Sequence, residues 1–109
     1  MEKVVLKRSG KPGLEFEGEL LYEGETSPDE ASDRWSGAVG RWKEVRVYRT
    51  RGGKYVVWIA RYTQWQGERD IFIAEVFASP EEAVRYLEDE APWAAEEVAE
   101  ELGVTERLE

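Results

Sequence analysis

Leu14 to Glu25 alternates: Leu14, Phe16, Gly18, Leu20 and Tyr22 fall on one side, and Glu15, Glu17, Glu19 and Glu23 on the other, with Leu21 the exception. A period of two over this length predicts a strand with one wet face. Val4 to Lys7 reads as a further short strand before it. "RWKEVRVYRT" and "KYVVWIARYT" flank Gly52-Gly53. Glycine supplies positive φ at low steric cost, so two strands around Gly-Gly predict a tight two-residue hairpin.

That turn length sets a register. It pairs Val47 with Trp58, Val45 with Ala60 and Lys43 with Tyr62 on a core face. Tyr48 then meets Val57, Arg46 meets Ile59, and Glu44 meets Arg61 in an opposite-charge contact on the outer face. Arg69 to Ala78 follows the Gln66-Gly67 turn as a third meander strand. A three-residue loop over Gln66 to Glu68 puts Phe72, Ala74 and Val76 beside Trp58 and Ala60. Glu75 then points outward near Arg46, which spares it an unpaired burial.

The period then changes to helical. Ser79 is placed as an N-cap, Pro80 sits at the first helical position, and Glu82 completes a capping box. Ala83, Val84, Leu87 and Ala91 face inward. Pro92 interrupts, and Ala95, Val98, Ala99 and Leu102 carry a second stripe to a stop at Gly103. Thr26 to Gly40 has no period and is rich in Ser, Asp and Gly, so it reads as a long loop, with Trp35 folding back onto the body or a partner. The expectation is one α+β domain spanning residues 1–109: an antiparallel β-meander of about four strands, with two C-terminal helices packed on one face.

Composition narrows the chemistry. The chain has no Cys and no His, so disulfides, thiolate metal sites, cysteine nucleophiles and imidazole acid–base catalysis are excluded. It also has no Asn, and abundant Glu and Arg with few thermolabile residues is a thermophile-like balance. No run approaches a membrane span or a signal-peptide core, so a cytoplasmic location is expected. Net charge is −9, and the segment from Pro80 onward carries all of it: eleven acids against Arg85 and Arg107. Ala31 to Ser79 holds nine bases and five acids, a mildly basic middle before a strongly acidic end.

"VYRTRGGKYVVWIARYTQWQGERD" followed by "ASPEEAVRYL" resembles stretches of small bacterial proteins from uncharacterised families. The order of hairpin, strand and "SPEEA" helix also resembles the layout of HicB-type antitoxins. That resemblance implies a partial ribonuclease-H-like fold and neutralisation of a small RNA-cleaving toxin. The two C-terminal helices, and the lack of a separate DNA-binding segment, depart from that pattern. Neither resemblance carries a functional residue over.

Three kinds of function remain. Tyr48, Val57 and Ile59, with Trp65 and the flanking Arg46 and Arg61, form an apolar strip ringed by charge, which suits a protein contact and a homodimer. The same hairpin, with Arg49 and Arg51, is an aromatic–basic patch of the kind that stacks bases and holds phosphates. The acidic helices suit a basic partner, as in an inhibitor or antitoxin. Catalysis finds little footing. Ser and Thr residues lie outside any nucleophile-elbow context, no phosphate-loop pattern occurs, and Asp29, Glu30 and Asp33 lack the spacing of a calcium loop. No catalytic, cofactor or metal residue is assigned. A non-enzymatic protein acting by protein contact is expected, with nucleic acid as the alternative partner.

Overall fold

In a computed structural model the structure describes residues 1–26, 41–64 and 67–104. These form β1 (Glu2–Arg8), β2 (Lys11–Glu25), β3 (Arg41–Thr50), β4 (Tyr55–Thr63), β5 (Ile71–Phe77), α1 (Pro80–Glu90) and α2 (Pro92–Leu102). The strands make one antiparallel sheet in sequential order, so the α+β reading holds. The described residues carry five strands rather than about four, because Val4–Lys7 belongs to a full strand paired with β2.

The helices pack on one face through Ala83, Val84, Leu87, Ala91, Ala94, Ala95 and Val98, which meet Val45, Val47, Val57 and Ile59 of the sheet. Alanines at the contact let the two helices lie close to the strands and to each other. Ser79 Oγ accepts from Glu82 N at 3.3 Å, as the capping pattern predicts. Glu82 reaches back to accept from Ala78 N. At the far end, Gly103 takes φ 70°, which lets its N–H turn back to the last carbonyls of α2.

The other face is covered by curvature. Ser9 N–H donates to Phe72 O at 2.8 Å, and Phe72 N–H donates to Ser9 Oγ at 2.9 Å. The β1–β2 turn thus touches the start of β5, and the sheet bends into a half-barrel. Its inner face has its own core of Leu6, Tyr48, Val56, Trp58 and Ala60, with Phe16, Tyr62 and Phe72 packed beside it. Both faces of β4 are therefore covered, and Val56 to Ala60 are buried without interruption.

The predicted hairpin register is corrected by one residue. Val47 lies opposite Val57, Tyr48 opposite Val56, and Arg46 opposite Trp58. The connection is Arg51–Gly53, closed by Thr50 N–H to Lys54 O and Gly53 N–H to Thr50 O, and Gly53 has φ 84° while Gly52 stays out of the left-handed region. A one-residue change in a period-two strand exchanges its faces. Trp58, Ala60 and Tyr62 therefore lie inside the half-barrel, and Val57 and Ile59 lie under the helices. Glu44 and Arg61 also separate: Glu44 faces Ala60, and Arg61 faces Lys43.

β5 keeps the predicted sidedness, with Phe72, Ala74 and Val76 opposite Ala60, Trp58 and Val56. Glu75 is exposed opposite Val57, on the helix side and away from Arg46. A bulge between Leu20 and Tyr22 turns Tyr22 out of the predicted alternation. It packs against the helix-side core, and its hydroxyl donates to the Glu97 carboxylate of α2. Burial, then that carboxylate, pushes the Tyr22 phenol well above its ordinary value.

Candidate functional site

The structure disperses the predicted contact strip. Val57 and Ile59 have no exposed surface and belong to the core under the helices. Arg61 is on that same side of the sheet and bonds Glu90 of α1 at 3.1 Å. Tyr48 and Arg46 stay together on the inner face, where Tyr48 is buried and Arg46 half-buried. Trp65 lies outside the described residues, as do Trp35 and the acidic trio Asp29, Glu30 and Asp33.

What the register brings together instead is a row across the strands. Leu20 on β2 lies opposite Tyr48 on β3, Tyr48 opposite Val56 on β4, and Val56 opposite Val76 on β5. At roughly 4.8 Å between neighbouring strands the row spans about 14 Å. Its middle is buried while its ends stand out, with Leu20 at 49% and Val76 at 48% exposure. Beside it, Met1, Val4, Leu6 and Gly18 join Leu20 and Tyr48 in lining a cleft of about 640 Å³. Phe16 meets the Tyr48 ring edge-to-face at 5.5 Å and holds it in place.

Ion pairs frame this surface. The Arg46 guanidinium bonds Glu23 at 2.8 Å and Glu44 at 2.7 Å, and lies 4.9 Å over the Trp58 ring. Glu44 also accepts from the Tyr62 hydroxyl at 2.9 Å. Burial, then this hydrogen bond, pushes the Tyr62 phenol up to about 12. On the alternate positions, which point to the other face of the sheet, Arg49 pairs with Glu19, Arg51 with Glu17 at 2.9 Å, and Lys3 with Glu15 at 3.4 Å. Glu23, Glu19 and Glu17 of β2 thus partner Arg46, Arg49 and Arg51, and those arginines are already engaged where a phosphate would need them. What the surface offers chemically is apolar contact area beside the Arg46–Glu23–Glu44 cluster.

Leu20, Val56 and Val76 were not predicted site residues, because a row across strands appears only once every register is known. One signal lay in the sequence. The unbroken apolar run Val56 to Ala60 is incompatible with a wet outer face on β4. No helix among the described residues is long and apolar enough to cross a membrane. No family model matches the chain, no curated protein matches it, and no solved structure matches it.

Proposed function

We propose that the protein acts by protein–protein contact, as a homodimer joined through the open rim of its half-barrel. The row Leu20–Tyr48–Val56–Val76 carries this reading: one continuous apolar line whose two ends are half-exposed. Laid antiparallel on its own copy, the row sets Leu20 of one protomer against Val76 of the other, the self-complementary arrangement a two-fold axis requires.

Charge supports a second copy as the occupant. The residues from Pro80 onward carry the whole net charge of −9, and the two helices they form pack on the opposite face of the sheet. Beside the row, Arg46 is bonded to both Glu23 and Glu44, which limits like-charge repulsion between identical rims. The test is the mass of the full chain by light scattering across a concentration series. A mass of twice 12.6 kDa supports the dimer, and a monomer throughout contradicts it.

A further inference from the structure

We propose that the free edge of β5 is a docking site for an extended peptide, which adds to it as an antiparallel strand with a cationic side chain opposite Glu75 and an apolar side chain on either side of that cation. Both main-chain groups of Phe72 point away from β4, since its N–H and C=O bond Ser9 of the β1–β2 turn. Along a strand these groups alternate in direction from residue to residue, so those of Ala74 and Val76 point the same way as those of Phe72. Ser9 closes only the start of the edge. The outward N–H and C=O of Ala74 and Val76 have no hydrogen-bond partner among the described residues.

The two edges of the sheet differ in how they treat a passing strand. β1 carries Glu2, Lys3, Lys7 and Arg8, and charged side chains are the usual guard against unwanted pairing. β5 is apolar throughout except for Glu75 and has neither lysine nor proline. Its side chains also reach the surface, with Ile71 at 42% exposure and Val76 half-exposed. An apolar edge with open main-chain groups has the form of a strand acceptor.

Charge selects the occupant. Glu75 is exposed and makes no ion pair among the described residues. It shares the helix side of β5 with Phe77, which packs on Tyr86 of α1 at 5.2 Å between ring centroids. α1 itself holds five acids against Arg85. The Tyr86 phenol is raised by burial first, then by the charges of Glu90 and Glu75, so both carboxylates act on this corner. An edge beside such a helix favours a cation over an anion. A second copy of β5 fits poorly. Joining Ala74 of each strand to Val76 of the other uses every open group, but it sets Glu75 against Glu75 in a non-hydrogen-bonded pair, where side chains lie closest. An arginine in that place gains charge-assisted hydrogen bonds instead. Its two neighbours then lie beside Ala74 and Val76 on the inner face of the half-barrel, where apolar side chains fit.

The test titrates the full chain into a fluorescein-labelled, amidated peptide of sequence Thr-Val-Arg-Val-Thr at low salt, with anisotropy as the readout. The expected result is saturable binding at a Kd of about 1 mM or tighter. N-methylation of both valines removes the donors to the Ala74 and Val76 carbonyls and is expected to weaken binding by about tenfold or more. A peptide with glutamate in place of the arginine is expected to bind about tenfold more weakly, and Glu75→Arg to invert that preference. Leu20→Glu lies three strands away and leaves the peptide affinity unchanged, so failure of the dimer and failure of the edge site give different results. No saturable binding, equal binding of the N-methylated peptide, or an unaltered preference in Glu75→Arg overturns the proposal. A dimer that survives Leu20→Glu and is strengthened by Glu75→Gln assigns the edge to a second copy and overturns it as well.

Discussion

The indole N–H of Trp58 on β4 donates to the main-chain carbonyl of Lys7 on β1 at 3.0 Å, across 51 residues of sequence. The side chain crosses the inside of the half-barrel and holds its first strand from within. Phe72 stacks on the same indole at 5.9 Å, so the clasp also touches β5. Trp58→Phe keeps most of the volume and removes the donor, with an expected cost of about 1–3 kcal/mol because the Lys7 carbonyl loses its partner. Trp58→Ala costs about 3–5 kcal/mol. Urea unfolding measures both, and a Trp58→Phe variant as stable as the parent would show that the hydrogen bond contributes nothing.

Much of the architecture was legible in the sequence, and the reasons are local. Ser79, Pro80 and Glu82 specify the start of α1 through contacts within four residues, and Pro92 and Gly103 mark the bounds of α2 in the same way. Facing was harder, because it depends on turn lengths. Gly52-Gly53 fits a two-residue turn by composition, yet Thr50 spans one residue more, its Oγ accepting from Lys54 N at 3.0 Å. That single residue moved Val57 and Ile59 from the predicted contact strip into the core. The bulge beside Leu21 likewise redirected Tyr22 to Glu97 of α2, a partner no local pattern announces. Tyr48 and Arg46 kept their place because they lie on β3, upstream of the misread turn.

Glu44 is the most enclosed carboxylate of the inner face, with its side chain 11% exposed. It joins Arg46 to Tyr62, while Glu23 gives Arg46 a second partner. Glu44→Ala is expected to cost about 2 kcal/mol, within the range for hydrogen bonds to charged groups. A double-mutant cycle with Tyr62→Phe should return a coupling of roughly 0.5 kcal/mol or more. Strict additivity in that cycle would remove Tyr62 from the network.

Gly18 occupies a position where a side chain has no room. A Cβ there would lie 2.6 Å from the Arg49 carbonyl oxygen and 2.9 Å from the Phe16 ring. The close approach of β2 and β3 at this point helps set the curl that shapes the rim. Gly18→Ala is expected to destabilise the protein by about 1–3 kcal/mol through backbone displacement, read as a lower urea midpoint. A neutral result would mean that the two strands separate at little cost.

Alkaline pH probes the phenols. Tyr62 holds its proton to about 12, chiefly through burial and then through Glu44, whereas an unfolded tyrosine releases it near 10. The folded state therefore binds the proton more tightly. Its stabilising contribution is complete below about pH 10 and is lost as pH rises toward 12. Tyr22 and Tyr86 shift in the same direction, so absorbance titration should show a late-titrating group of phenols. Tyr62→Phe should flatten the fall in stability between about pH 10 and 12, and an unchanged slope would contradict the assignment.

The account centres on the row that ends in Leu20. Its side chain is half-exposed and makes no part of either buried core, so Leu20→Glu should leave the fold intact while placing a charge in the contact. The most direct measurement is the solution mass of Leu20→Glu beside the parent chain at matched concentration, with circular dichroism and the melting temperature as checks on folding. The prediction is a dimeric parent and a folded monomeric variant. A variant that folds and remains dimeric would place the interface elsewhere and contradict the central claim.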